Sequence, residues 1–394
     1  MIYLLVFILL LIPVVKYDWM AKTGGEKFWY YMSLVVLILL VGLRYRVGGD
    51  TLMYMAMYDE WPSISELKYF DFEEAEYRPL WYILVAVCKS ISNDFVVFQI
   101  LHAIITIPVF FYCFRKYCPR YYFTAILLFY IGYFLYFSIE ILREDICIVI
   151  MFLAIGWLIN KKYLWYYIAI IPALYIHYSA LIMLFIPIAY RFFKKPSWKL
   201  QVILFVIIFL LLSVINLPAI IVNSLPISGQ FSRLILAYIE YEISINGIII
   251  KILNFMPIIG LVFIRQRVEM KDEYDFTPLI MATVVIYAFS ICVSGVERFI
   301  NYFVPFIIIY VVNTIYPILY RKFRDISITY SVAIIVLIVY GFNLTYYYLR
   351  DMSDYYPNSK YYVIFYPYHS IFDNKINEKR ERFIENYREV QIQF

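Results

Sequence analysis

"PLWYILVAV", residues 79–87, is the stretch on which the fold turns. It is apolar enough to enter a membrane, yet nine residues of helix rise only about 14 Å against a hydrocarbon core of roughly 30 Å. The short loops around it carry the sidedness, because Lys and Arg concentrate on the cytoplasmic face. Lys16, Lys22 and Lys27 lie between the first two apolar runs, and Arg115, Lys116 and Arg120 follow the third. If 79–87 crossed the membrane, the basic 115–120 loop would land outside. Residues 78–92, bounded by Arg78 and Lys89, are therefore expected to form an interfacial helix in the outer leaflet that does not cross.

Working outward, apolar runs fall at 2–15, 28–43, 95–114, 121–139, 146–160, 163–176, 178–190, 200–222, 247–265, 277–294, 299–319 and 328–349. Further basic loops, Lys161–Lys162, Arg191 to Lys199 and Arg321 to Arg324, keep the same parity if 163–190 is two short spans meeting at Ile176-His177. Backbone groups in lipid must be satisfied within the segment, and no alternating barrel pattern is present. The expected fold is all-α: a polytopic integral membrane protein of about 12 transmembrane helices plus the outer-leaflet helix. Residues 1–394 form a single polytopic domain in this reading, with 44–94 an extracytoplasmic loop and 350–394 an extracytoplasmic tail. The first apolar run lacks a basic leader and a small-residue cleavage site, so it is read as a retained span.

Composition agrees. The chain is 64% hydrophobic and 16% charged, with a mean hydropathy of +0.75, and a soluble domain carries about 25% charged residues. A net charge of +5 gives no footprint for nucleic acid. Cys88, Cys113, Cys118, Cys147 and Cys292 show no metal spacing and read as small packing residues. No metal and no cofactor is expected.

With this topology the unusual polar residues gather on the outer face. Arg44, Arg46 and Asp50 sit at the outer end of the second span, in "RYRVGGDTLMY" (44–54). Glu140, Arg143, Glu144 and Asp145 occupy "SIEILREDICI", His177 and Ser179 "YIHYSALI", and Glu297 and Arg298 "SGVERFINYF". Ionisable groups near spans are costly and usually face a cavity. Glu140, Arg143 and Glu144 stand at i, i+3 and i+4 on one helix face, as do Arg298, Asn301 and Tyr302, and Asp50 precedes Tyr54 by four. Arginine's planar fork suits phosphate or diphosphate, and several arginines offset a diphosphate's charge without a metal. Each piece also has a plainer reading: Arg44 and Arg46 as interfacial anchors, Arg143 in a local salt-bridge knot, His177 as a turn residue. Asp50 and His177 both remain candidates for a general base.

At these residues the chain resembles the EpsG family of Wzy-like polysaccharide polymerases. The resemblance runs through "LRYRVGGDTLMY", "EILREDICIVIMFLA", "YIHYSALIMLFI", "ERFINYFVPF" and "FYPYHSIF", in that order. It implies a membrane glycosyltransferase that joins undecaprenyl-diphosphate-linked repeat units into O-antigen, capsule or exopolysaccharide at the outer face of the bacterial cytoplasmic membrane. The catalytic candidates in this reading are Asp50, His177 and Arg143, and the substrate-binding candidates are Arg44, Arg46, Tyr54, Glu140, Arg298, Tyr302 and Tyr368. Lipid-linked glycan, the bilayer and a chain-length regulator are the implied partners. One departure stands out: where the family commonly has Arg-Gln, this chain has Arg143-Glu144. A flippase for the same lipid-linked units is the rival reading, but it calls for polar residues at the bilayer midplane and internal repeats, and neither is evident.

Overall fold

The computed structural model describes residues 1–194, 256–265, 274–292, 295–296, 298–320, 347–353, 356–373 and 375–392, with the isolated positions 203, 204, 207 and 341. The expected span 200–222, most of 328–349, half of 247–265 and the residue Glu297 lie outside them. The chain is all-helical, with no strand among the described residues. It divides into two compact units: Met1–Ala180 with Phe342–Phe394, and Leu181–Gly341.

The first unit holds eight helices before residue 180: α1 (Ile2–Pro13), α2 (Glu26–Gly42), α3 (Gly49–Tyr58), α4 (Pro79–Ile91), α5 (Phe95–Tyr117), α6 (Tyr122–Phe129), α7 (Leu142–Ile159) and α8 (Tyr163–Leu174). Local chemistry explains several boundaries. The Asp94 side chain caps α5 by accepting from Val96 N at 2.9 Å, and Arg115 and Lys116 complement the dipole at its other end. Pro79 opens α4 at a position where its missing N–H costs nothing. The Asp18 carboxylate caps α6, accepting from Thr124 N at 2.6 Å and Thr124 Oγ1 at 2.8 Å. Two stretches wind more loosely: α1 continues π-helically through Val14–Trp19, and α6 through Tyr130–Phe134 and Tyr136–Glu140.

These helices alternate in direction between two ends of the unit. At one end Asp18 meets Thr124, Arg115 lies 5.1 Å over the Tyr30 ring, and Lys116 approaches Gly156. Lys16, beside Gly25, lies at this end too. At the opposite end Tyr3 Oη donates to Phe365 O, Gln99 Nε2 to Arg44 O, and the His102 ring meets Leu142 O. Both ends of α4 are held at this second end. Arg78 donates from Nε and Nη2 to Leu174 O at the close of α8, and Lys89 Nζ donates to the carbonyls of Tyr58, Asp59 and Trp61 at the close of α3. A helix tethered this way is held at both ends against the closes of α8 and α3. An aromatic cluster fixes it there: Tyr54, Trp61, Tyr77, Trp81 and Tyr82 from the loop pack with Phe98 of α5.

Two helices, Ile2–Trp19 and Phe95–Tyr117, are long and apolar enough to cross a membrane, and several shorter apolar helices accompany them. In the second unit the described helices include Ile182–Phe193, Thr277–Cys292 and Val304–Tyr320. Leu279, Ile280, Met183 and Ile186 are buried in its interior.

Candidate functional site

The site grows from the turn between α2 and α3. Gly48 adopts φ +104°, a conformation essentially reserved for glycine, and a Cβ there would press on Ile139 and come within 2.7 Å of Glu140 Oε1. That close approach lets the Glu140 carboxylate accept from Gly49 N at 2.7 Å and Asp50 N at 3.1 Å. The Glu140 carboxyl group thus sits at the amino-terminal end of α3, delivered there by the π-helical extension of α6. Glu140 is only 4% exposed, so its role is to hold α3, and with it Asp50, in place.

Arg44 is equally committed. It has no exposed surface, donates to Val41 O and to Thr51 Oγ1, and Thr51 Oγ1 in turn donates to Ile139 O. The expected substrate contact gives way to an internal brace, because the guanidinium is walled in. Arg46 forks onto Glu381 of the C-terminal helix Glu378–Ile392, with Nε donating to Oε1 at 2.8 Å and Nη2 to Oε2. That hydrogen-bonded carboxylate raises the Arg46 pKa. The adjacent Arg380 is 1% exposed and donates to three carbonyls, Val363, Pro367 and Arg46. Burial lowers its pKa to about 10, which still leaves it cationic at neutral pH. Tyr368 donates to Leu40 O at 3.0 Å, edge-on to Tyr3, and so joins the tail to α1 and α2. Arg46 and Tyr368 therefore serve architecture first.

Arg143 is different. Its Nε donates to Tyr54 Oη at 3.0 Å, and its guanidinium lies 3.9 Å from the centre of the Tyr77 ring. The Nη groups make no hydrogen bond among the described residues. Stacking on a ring face orients the fork while leaving donors available. Asp50, half-buried one turn before Tyr54, acts electrostatically on both Arg143 and Tyr54. Tyr54 is 5% exposed, and burial raises its pKa against the opposing pull of Arg143, so it stays a neutral phenol that accepts from Arg143.

His177 follows α8 in the turn that Arg78 caps. Its Nδ1 accepts from Ser179 N at 3.2 Å and lies 2.5 Å from Ser179 Oγ. A backbone N–H can only donate, so Nδ1 is the acceptor and the ring proton resides on Nε2. Arg298 and Tyr302 belong to the second unit. Arg298 opens the short helix Arg298–Asn301 and is exposed, whereas Tyr302 has no exposed surface and is a packing residue rather than a stacking platform.

Several residues that matter here carry no local signal in the sequence. Arg380 and Glu381 reach Arg46 across more than 330 residues. His102 Nε2, in α5, lies 3.0 Å from Leu142 O and 3.7 Å from Asp145 Oδ2, a buried polar contact directly behind the first turn of α7. Arg350 rests 3.6 Å from the centre of the Tyr361 ring. Tyr361 and Arg350 are joined through the backbone, Tyr361 N donating to Arg350 O at 3.2 Å.

Arg143 and Tyr54 thus meet at one end of a helical bundle, with Asp50 one turn before Tyr54 on the same helix. No curated protein and no solved structure matches the chain. The EpsG family profile matches residues 27–374, which take in every segment of this site up to the C-terminal helix. By that match, spanning most of its length, this membrane protein belongs to the EpsG family.

Proposed function

We propose that this protein is a polysaccharide polymerase working at the outer face of the bacterial cytoplasmic membrane, on repeat units carried by undecaprenyl diphosphate. The observation that carries the reading is an Arg143 fork set on Tyr77 and Tyr54, with Asp50 one turn before Tyr54 and within electrostatic reach, in a member of the EpsG family. A hydroxyl of the acceptor glycan attacks the anomeric carbon of the donor glycan. The new C–O bond forms, the bond from that carbon to the diphosphate oxygen breaks, and the hydroxyl proton passes to a base.

Asp50 is the base in this scheme. Arg143 neutralises the departing diphosphate through its planar fork. His177 is the less suitable base, because its Nδ1 already accepts from Ser179 N; with the proton on Nε2 it is a donor to a substrate oxygen. The two ends of the bundle, basic and site-bearing, correspond to the cytoplasmic and outer faces, with about 12 crossings over the whole chain.

The test is a chromosomal deletion complemented with Asp50→Asn, His177→Gln or wild type, read by surface glycan and by the sidedness of lipid-linked intermediates. The expected result is loss of polymer with single repeat units accumulating on the outer leaflet, both in the deletion and with Asp50→Asn. Repeat units trapped on the inner leaflet would replace this reading with a flippase. Full-length glycan from Asp50→Asn would remove Asp50 as the base.

A further inference from the structure

Six arginines of the first unit have described surroundings near the site, and four of them are engaged by backbone carbonyls or a carboxylate, although the Arg44 Nε is buried without a partner. Arg44 braces the turn, Arg46 is paired with Glu381, Arg78 caps α8, and Arg380 binds three carbonyls. Arg143 and Arg350 remain, and they share one design. Arg143 lies over Tyr77, and Arg350 lies over Tyr361 at 3.6 Å with a second ring, Tyr347, at 5.0 Å. Those two tyrosines are themselves locked together, Tyr347 Oη donating to Tyr361 Oη at 3.3 Å with ring centres 5.0 Å apart.

Arg350 forms no ion pair and no side-chain hydrogen bond among the described residues, and its Nε is shut off from solvent without a partner. The neighbouring Asp351 pairs with Lys360, 3.6 Å away, and leaves Arg350 alone. A guanidinium set against two rings, with its Nε buried and unpartnered and no carboxylate beside it, is suited to complete itself with an anion. The platform also reaches the site: Asp50 and Glu140 both act electrostatically on Tyr361, and Tyr136, four residues before Glu140, packs on Tyr347 with ring centres 5.8 Å apart.

We infer that Arg350 is a second anion-binding arginine of this site, and that with Arg143 it grips the diphosphate of the lipid-linked substrate from the tail side. The inference rests on the polymerase reading for the identity of the ligand, and on the geometry of Arg350 for the residue. Two forks on separate segments let four or more donors spread over the two phosphates. The polymer's leaving group is then held by elements from both halves of the first unit's sequence, before residue 180 and after residue 342.

The experiment is titration calorimetry on purified full-length protein in nanodiscs of zwitterionic lipid, with farnesyl diphosphate, farnesyl monophosphate and inorganic pyrophosphate as probes. Arg350→Gln and Arg350→Lys are expected to weaken farnesyl diphosphate binding by about tenfold to a hundredfold, the scale of lost charge-assisted hydrogen bonds. Lysine is expected to fail because it keeps the charge but not the fork. Tyr361→Leu, which removes the platform and leaves the arginine, is expected to weaken binding in the same sense. If Arg350→Gln does not remain monodisperse, Arg350→Lys and Tyr361→Leu decide. Pyrophosphate losing affinity in parallel supports a site that reads the diphosphate itself, and an effect confined to the farnesyl ligand supports one that also needs the lipid. An equal loss for the monophosphate means that the fork reads any single phosphate, such as a phospholipid head group, and overturns the inference. So do variants that bind as tightly as wild type. Wild-type protein that binds no diphosphate at all removes the polymerase reading and this inference together.

Discussion

Replacing Arg46 or Glu381 separates two meanings of the same arginine. The pair is bidentate, and its side chains retain 30% and 21% of their exposure. Fully exposed pairs contribute about 0.2–1 kcal/mol, and breaking a buried one costs about 3–5 kcal/mol. At this intermediate burial, with two parallel bonds, a coupling of about 1–2 kcal/mol is expected, enough to raise opening of the C-terminal helix by a factor of about 5–30. The measurement is hydrogen exchange on amides 378–392 in a double-mutant cycle of Arg46→Gln, Glu381→Gln and both together. Either single variant should accelerate exchange to a similar degree, and the double variant should add little. Surface glycan should fall in parallel for both singles, because each frees the same tail. The reasoning is refuted if the single effects simply add, within about 0.5 kcal/mol. It is equally refuted if Arg46→Gln abolishes polymer while Glu381→Gln leaves it intact, since Arg46 would then be touching substrate.

Gly48→Ala should be among the most damaging small substitutions. The left-handed backbone costs about 1–3 kcal/mol for any side chain, and overlap with Ile139 and Glu140 adds about 1–3 kcal/mol, so thermal stability and polymer should both drop. Glu140→Gln keeps the shape but leaves an amide N–H facing a helix N–H, so it should loosen α3 by about 1–3 kcal/mol, seen as faster exchange at residues 49–58. Lys89→Met strips the carbonyls of Tyr58, Asp59 and Trp61 of a shared donor, and protease cleavage in loop 59–78 should rise severalfold.

The helical class and the turn before α3 were legible because each leaves a local trace. Long apolar runs without alternation report helices, and the paired glycines before Asp50 report an unusual backbone. The charge of a loop some 25 residues later argues for a helix at 79–91 that does not cross, and the structure shows that helix tethered at both ends. What the sequence withheld is division of labour among like residues. Arg44 and Arg143 read alike as rim cations, yet one is walled in against Thr51 and the other lies open on Tyr77. Glu140 read as a ligand because nothing in its neighbourhood announces that α3 begins 91 residues away. Arg350, Arg380 and Glu381 were invisible for the same reason: their partners are set by tertiary folding, and a polar tail resembles any other solvated segment.

The clasp of Arg380 on the carbonyl of Arg46 also governs when the α2–α3 turn is seated. The two residues stand 334 positions apart, and at about 5–20 residues per second the turn waits roughly 17 to 67 s between its own synthesis and that of its keeper. During that interval the α2–α3 turn lacks the contacts that seat it, and the Arg350 platform does not yet exist. Seating of the α2–α3 turn therefore waits on residues some 334 positions downstream, so that two distant parts of the chain mature together.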